Sequence, residues 1–264
     1  MVYDNDIMIT LFLQILKSGN YDIILPMREE IKRKLKEKAE KDYKEFNTKL
    51  IPGIDKKSVM GVRMPDVRAL AKQIAKEDFR KFMDEMDEAE NPCYEEKLIY
   101  GMVIGYAKIN DDERFDLIRR FVPYIDNWAL CDSVDSTYRF IRKDPEKGFD
   151  FLKTYLDSDR EFEKRFGTVM LLAHYVNNDD INEVYLPKVI EEMKLLGRDQ
   201  PYYAMMAVAW TLSVCYIKNG KLTVGLLSGD GLDHITRKKT IQKIRESFRV
   251  SEEEKENLKK LIKA

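Results

Sequence analysis

"DQPYYAMMAVAWTLSVCYIKNGKL", residues 199–222, is apolar on nearly every side when wound at 3.6 residues per turn. A helix that is hydrophobic all round has no face for solvent and needs neighbours on more than one side. Tyr203, Ala207, Trp210 and Val214 share one side of it. The stretch therefore reads as a buried helix over 201–218 in a protein built from helices packed on helices.

The pattern extends in both directions. Helical segments are expected near 111–121, 126–142, 145–156, 160–176, 181–196, 234–248 and 251–263, with breakers at Asp144-Pro145, Asn177 to Asp180, Gly197, Gln200-Pro201 and around Gly229 and Gly231. Upstream, Leu98, Met102 and Tyr106 follow the break at Asn91-Pro92. Pro65 opens a helix whose apolar face is Val67, Leu70, Ala71 and Ile74, and "IPGIDKKSVMG" (51–61) has loop chemistry. Ile7, Leu11 and Ile15 mark a first amphipathic segment and a charged one follows from Pro26 to about Phe46, so 1–46 reads as a helical cap on a single 264-residue unit. Only 12 Gly and 8 Pro occur, and no strand-like alternation stands out. Helices of about 12–18 residues with short connections, paired about every 35–45 residues, fit stacked antiparallel hairpins of HEAT type.

Charged residues make up 35% of the chain, yet the formal net charge is only −1. Non-specific DNA affinity is largely electrostatic, so any basic surface that meets phosphate must be local and offset elsewhere. Cys93, Cys131 and Cys215 have no paired spacing and only His174 and His234 are present, so neither a disulfide framework nor a zinc site is expected. The first ten residues contain Asp4 and Asp6 and lack a basic leader pattern, and no run approaches the ~20 apolar residues of a membrane span. A cytoplasmic protein is expected.

Four stretches could carry chemistry. On one continuous helix, "IDNWALCDSVDSTYRFIR" (125–142) puts Leu130, Cys131, Val134, Tyr138 and Ile141 on an apolar stripe and Trp128, Asp132, Asp135, Arg139 and Arg142 on a polar face. A large aromatic ring beside two carboxylates suits a catalytic site. It equally suits a surface helix in which Asp135 pairs with Arg139. In "DREFEKRFGTVMLLAHYV" (159–176), Arg165 lies at the edge of an apolar face, as a salt-bridge arginine or as a guanidinium that holds a phosphate or carboxylate. Trp210 is core unless its side lines a groove. "TRKKTIQKIRESFR" (236–249) holds six basic residues, among them Arg237, Lys238 and Lys239, and one acid. It is either a phosphate-contacting helix or the outer face of a terminal one.

Together these stretches resemble the AlkD-like family of DNA alkylation-repair glycosylases. "GVRMPDVRALAKQI" (61–74) is similar to that family's GVR-x-P-x-LR-x-LAK element and "NWALCDS" (127–133) to its W-x-x-x-D-S element. "YYAMMAVAWTLS" resembles its aromatic-pair helix, and "TRKKTIQKIRESFRVS" the C-terminal element of one subgroup. Ala129, Leu130 and Cys131 replace a more polar triplet, which marks a divergent branch. The resemblance implies an all-α, HEAT-like helical-repeat solenoid that grips duplex DNA and hydrolyses the N-glycosidic bond of N3- and N7-alkylated purines without metal or organic cofactor. By position it implies Asp132 as catalytic carboxylate, with Asp135 as the alternative, and Trp128, Arg165, Tyr202, Tyr203 and Trp210 as DNA or lesion contacts. A catalytically silent DNA-binding relative and a protein-interaction scaffold are the other readings the sequence leaves open.

Overall fold

A computed structural model describes residues 26–262, and among them the chain forms helices and no strand. In chain order the helices run two by two along the sequence. The first is α1 (Met27–Glu37) with α2 (Lys41–Leu50), followed by α3 (Met64–Ile74) with α4 (Phe79–Asp87) and α5 (Tyr94–Tyr106) with α6 (Asp111–Phe121). Next come α7 (Trp128–Val134) with α8 (Pro145–Leu156) and α9 (Glu161–Leu171) with α10 (Asn182–Leu195). The last are α11 (Tyr202–Lys218) with α12 (Gly220–Ser228) and α13 (His234–Glu246) with α14 (Glu252–Lys260). Short polar side chains start several of them by accepting backbone N–H groups that a helix leaves unpaired. Asn110 does so for α6, Asn127 for α7, Asp144 for α8 and Asp233 for α13, while Ser251 and Glu254 close a reciprocal capping box on α14.

Helices α3, α5, α7, α9, α11 and α13 each pack on the next, forming one continuous row. Their first residues, 64, 94, 128, 161, 202 and 234, lie 30 to 41 residues apart, a somewhat shorter repeat than the sequence suggested. The protein is thus an all-α helical-repeat solenoid with one core of buried side chains running from Ile31 to Leu258. Helix α11 sits between α9 and α13, and its apolar circumference is explained by that position: Ala204, Val208, Leu212 and Cys215 are all buried. Among the described residues no helix is long and apolar enough to cross a membrane.

The "GVR" triplet is an anchor between repeats. Gly61 has φ +92°, a conformation that L side chains rarely adopt, and a Cβ there would stand 2.6 Å from Lys44 Cβ and 2.7 Å from the Glu40 carbonyl. Its N–H donates to the buried Glu95 carboxylate at 2.7 Å, which also accepts from Met60 and Val62. Arg63 then forks onto Glu40 at 2.8 and 2.9 Å. Helices α2, α3 and α5 are joined at this one loop.

The chain departs from the sequence reading in several places. The expected helix over 126–142 ends at Val134 and continues as two 3-10 turns, Asp135–Thr137 and Arg139–Arg142. The apolar stripe survives, since Leu130, Cys131, Val134, Tyr138 and Ile141 are all buried, but the polar face does not. Arg142 turns to the Ala173 carbonyl and His174, and Asp135 makes no ion pair with Arg139. The charged segment from Pro26 splits into α1 and α2, and α4 and α12 were not anticipated. The amphipathic segment of Ile7, Leu11 and Ile15 lies outside the described residues.

Candidate active site

Helix α7 is only seven residues long, and contacts from other repeats hold it at both ends. At its start the Asn127 side chain accepts the Leu130 N–H at 3.0 Å. At its end the Arg68 guanidinium of α3 donates to the Ser133 carbonyl at 3.0 Å, a cation on the negative end of the helix. Trp128, in the first turn and half-buried, donates its indole N–H to the Leu50 carbonyl at 3.2 Å. That bond satisfies a carbonyl at the end of α2 and fixes the plane of the ring.

Asp132 lies one turn after Trp128, on the same side of α7. Arg165 of α9 grips it with two parallel bonds, Nε to Oδ1 at 3.1 Å and Nη2 to Oδ2 at 2.6 Å. The arginine side chain is 7% exposed and the aspartate 20%, so the cation is sealed in while the carboxylate keeps an edge toward solvent. The third guanidinium nitrogen, Nη1, donates to the Tyr203 carbonyl of α11 at 3.1 Å. One turn before Arg165, Glu161 accepts the Tyr203 N–H at 2.5 Å. Two side chains of α9 therefore hold both backbone polar groups of Tyr203, and the pair Asp132–Arg165 links α7, α9 and α11.

Aromatic rings cluster at the Tyr203 end of this link. The Tyr203 ring lies 5.3 Å from Phe162, and Tyr202, largely exposed, meets Tyr203 edge-on at 5.2 Å. Trp210, half-buried, follows Tyr203 by two turns on the same side of α11. On that side Ala207 is fully buried, whereas Tyr203, Trp210 and Val214 are not.

Asp135 occupies a different setting. Its carboxylate accepts the backbone N–H of Ser136, and burial raises its pKa above the ordinary aspartate value, with the neighbouring Asp132 adding to the effect. Arg165 engages Asp132 and not Asp135. Arg237 is half-buried and donates to the Gly229 carbonyl at 2.6 Å, so it closes the loop before α13. Lys238 is exposed, and Lys239 reaches Gln242 at 3.4 Å. All three lie on α13, beyond α9 and α11 in the row, and are not brought together with Asp132.

A sequence model described as "DNA alkylation repair enzyme" matches residues 29–261, almost the whole chain. The chain belongs to the DNA alkylation repair enzyme family. No curated protein matches it significantly. Within this repair-family solenoid, the residues that sequence reasoning missed are Glu161 and Arg68. Glu161 precedes Arg165 by four residues, the spacing that puts both on one side of α9, and that was a readable signal. Arg68 meets Ser133 across 65 positions of sequence, and nothing local announces the contact.

Helix α9 runs on into a single π-turn, Leu172–Val176, which carries His174 and packs on the Arg139–Arg142 turn. Arg142 Nε donates to His174 Nδ1 at 3.2 Å and its Nη2 to the Ala173 carbonyl at 3.1 Å. Burial first, then the Arg142 charge, pushes the imidazole down from 6.5 to about 4. The folded repair protein thus holds this ring neutral while the unfolded chain protonates it near pH 6.5. The contribution is fully present above that pH and is lost as pH falls toward 4. Stability measured by urea titration is expected to drop by about 2 kcal/mol between pH 6.5 and about pH 5 relative to His174→Gln. Equal pH slopes for the two proteins would contradict this assignment.

Proposed function

We propose that this repair-family member is a DNA glycosylase that hydrolyses the N-glycosidic bond of N3- and N7-alkylated purines, with Asp132 as its catalytic carboxylate. The observation that carries the reading is the Asp132–Arg165 pair: a carboxylate held in two bonds by a sealed guanidinium, one edge reachable, with an indole one turn away.

The chemistry matches what one carboxylate can supply. An alkylated purine is already cationic, so it departs as a neutral base and needs no acid to protonate it. What remains is positive charge developing on the sugar and a water to attack it. A pre-positioned carboxylate stabilises the first and orients the second. The parallel with sugar hydrolysis through an oxocarbenium-like state is direct, without the second carboxylate. Arg165 is the positioning residue, since its planar fork fixes both oxygens. Trp128 and Trp210 would offer ring faces to the cationic lesion, each worth about 0.5–2 kcal/mol. Tyr202, being exposed, is available to the DNA backbone, and Lys238 and Lys239 would extend contact along the row. No step requires a metal or an organic cofactor.

The test is base release. Purified protein incubated with methylated duplex DNA is expected to free 7-methylguanine or 3-methyladenine above the spontaneous rate, read by mass spectrometry of the filtrate. Release no faster than the uncatalysed control sinks the reading and leaves a silent DNA-binding or scaffold protein.

A further inference from the structure

A second site adjoins the first. Between α3, the end of α5 and the 3-10 turns after α7 lies a pocket of about 650 Å³. Its charged lining is Arg68 and Lys72 from α3, Arg114 from α6, and Arg139 and Lys143 from the second turn and its exit, with no carboxylate among the lining residues. In a chain of net charge −1, five converging cations are a local concentration that the rest of the surface must offset.

Two of the five are neutralised from behind. Asp111 pairs with Arg114 at 2.7 Å and with Lys143 at 3.2 Å. Among the described residues Arg68, Lys72 and Arg139 have no carboxylate within salt-bridge distance. Arg68 is nevertheless held in place by neutral acceptors: the Ser133 carbonyl at 3.0 Å and the Tyr106 and Ser136 hydroxyls at 3.4 Å. Lys72 lies 5.4 Å from the centre of the Tyr106 ring. Gly105 shapes the floor, because a Cβ there would stand 2.5 Å from Thr137 Cβ and lift the turn away. Asp135, on the turn itself, accepts the Ser136 N–H and also feels the Arg68 charge, but no ion pair forms between them.

We infer that this pocket binds one phosphate of a DNA backbone, held by Arg68, Lys72 and Arg139. One guanidinium held in place, Arg68, with an ammonium, a second guanidinium and two hydroxyls beside it, matches phosphate oxygens. The volume exceeds what one phosphate fills and leaves space for its flanking sugars. Arg68 also bonds the residue that follows Asp132, so the phosphate site and the reactive carboxylate are tied to the same short helix. A phosphate seated here sets the register of the duplex against Asp132. The inference rests on the DNA-binding half of the proposed function and not on its chemistry.

The experiment measures binding of an undamaged duplex with 5′-hydroxyl ends by fluorescence anisotropy over a salt series. It compares wild type, Lys72→Ala/Arg139→Ala and the single reversal Arg139→Glu, with melting curves as a check on folding. Neither Lys72 nor Arg139 makes a hydrogen bond to another described residue's side chain or an ion pair, so both variants are expected to melt with wild type. Both should bind roughly tenfold more weakly at low salt, and the slope of log K against log salt should shrink by about one. Inorganic phosphate should compete better than chloride of equal ionic strength against wild type, and no better against the double variant. Unchanged affinity and slope overturn the site. A loss seen only with 5′-phosphorylated oligonucleotides overturns the backbone assignment in favour of a terminal phosphate. Wild type that binds with full slope but frees no base would sink the glycosylase reading and leave the phosphate site standing. Base release with an unaltered slope in both variants would do the reverse.

Discussion

Asp132→Asn is expected to lower the rate of base release on the order of 10³-fold while the protein stays folded. The substitution keeps the shape of the side chain and one oxygen that can accept from Arg165, but it removes the charge that faces the developing cation. The amide nitrogen now meets a guanidinium N–H where an oxygen stood 2.6 Å away, so one bond of the fork is lost. The stability cost is about 1–3 kcal/mol, because Arg165 at 7% exposure loses part of its compensation. Single-turnover release from methylated duplex, with a melting curve alongside, separates the two effects. A variant that folds and keeps more than about a tenth of the wild-type rate would show that the reactive carboxylate lies elsewhere, with Asp135 the first place to look.

Arg165→Ala is expected to be the most damaging single change to stability around the site, by about 3–5 kcal/mol. It strips both bonds from Asp132, removes the donor to the Tyr203 carbonyl and leaves a hole between α7, α9 and α11. Arg165→Lys keeps a charge but not the fork, and should recover part of the stability and little of the rate. The double change Arg165→Ala with Asp132→Asn should cost less than the sum of the two, since no charge is then left unpaired. Urea titrations of the four proteins give the coupling. Strict additivity would mean that the two side chains do not depend on each other.

The burial of α11 was legible because every side of "AMMAVAWTLSVC" is apolar, and only a helix enclosed by neighbours tolerates that. The spacing of Trp128 and Asp132 was legible too, since four residues make one turn. The end of α7 was not. Apolar periodicity carries on through Tyr138 and Ile141, yet Asp135 bonds the Ser136 N–H and the Thr137 hydroxyl bonds the Val134 carbonyl at 2.6 Å. Short polar side chains compete with the helix for its own backbone, and the cluster Ser133, Asp135, Ser136 and Thr137 was the available warning. Helix α4 was also readable, with Asp78 as cap and Phe79, Phe82, Met83 and Met86 buried on one side. Helix α12, which contains Gly220 and Gly225, follows α11 with a single residue between them and gave weaker signals. The contacts that make the site a site could not be read locally. Trp128 to Leu50, Arg68 to Ser133 and Arg165 to Tyr203 each join residues that only the stacking of repeats brings near.

The proposed chemistry uses one carboxylate, Asp132, and no proton donor, so it works only on a base that already carries positive charge. The sharpest test compares matched duplexes, one bearing 7-methylguanine and one bearing uncharged hypoxanthine, incubated with the same protein preparation. Release of the cationic base is expected, and none of the neutral one above the spontaneous rate. Comparable release of hypoxanthine would contradict it, because that reaction needs a proton donor that Asp132, paired to Arg165, does not provide.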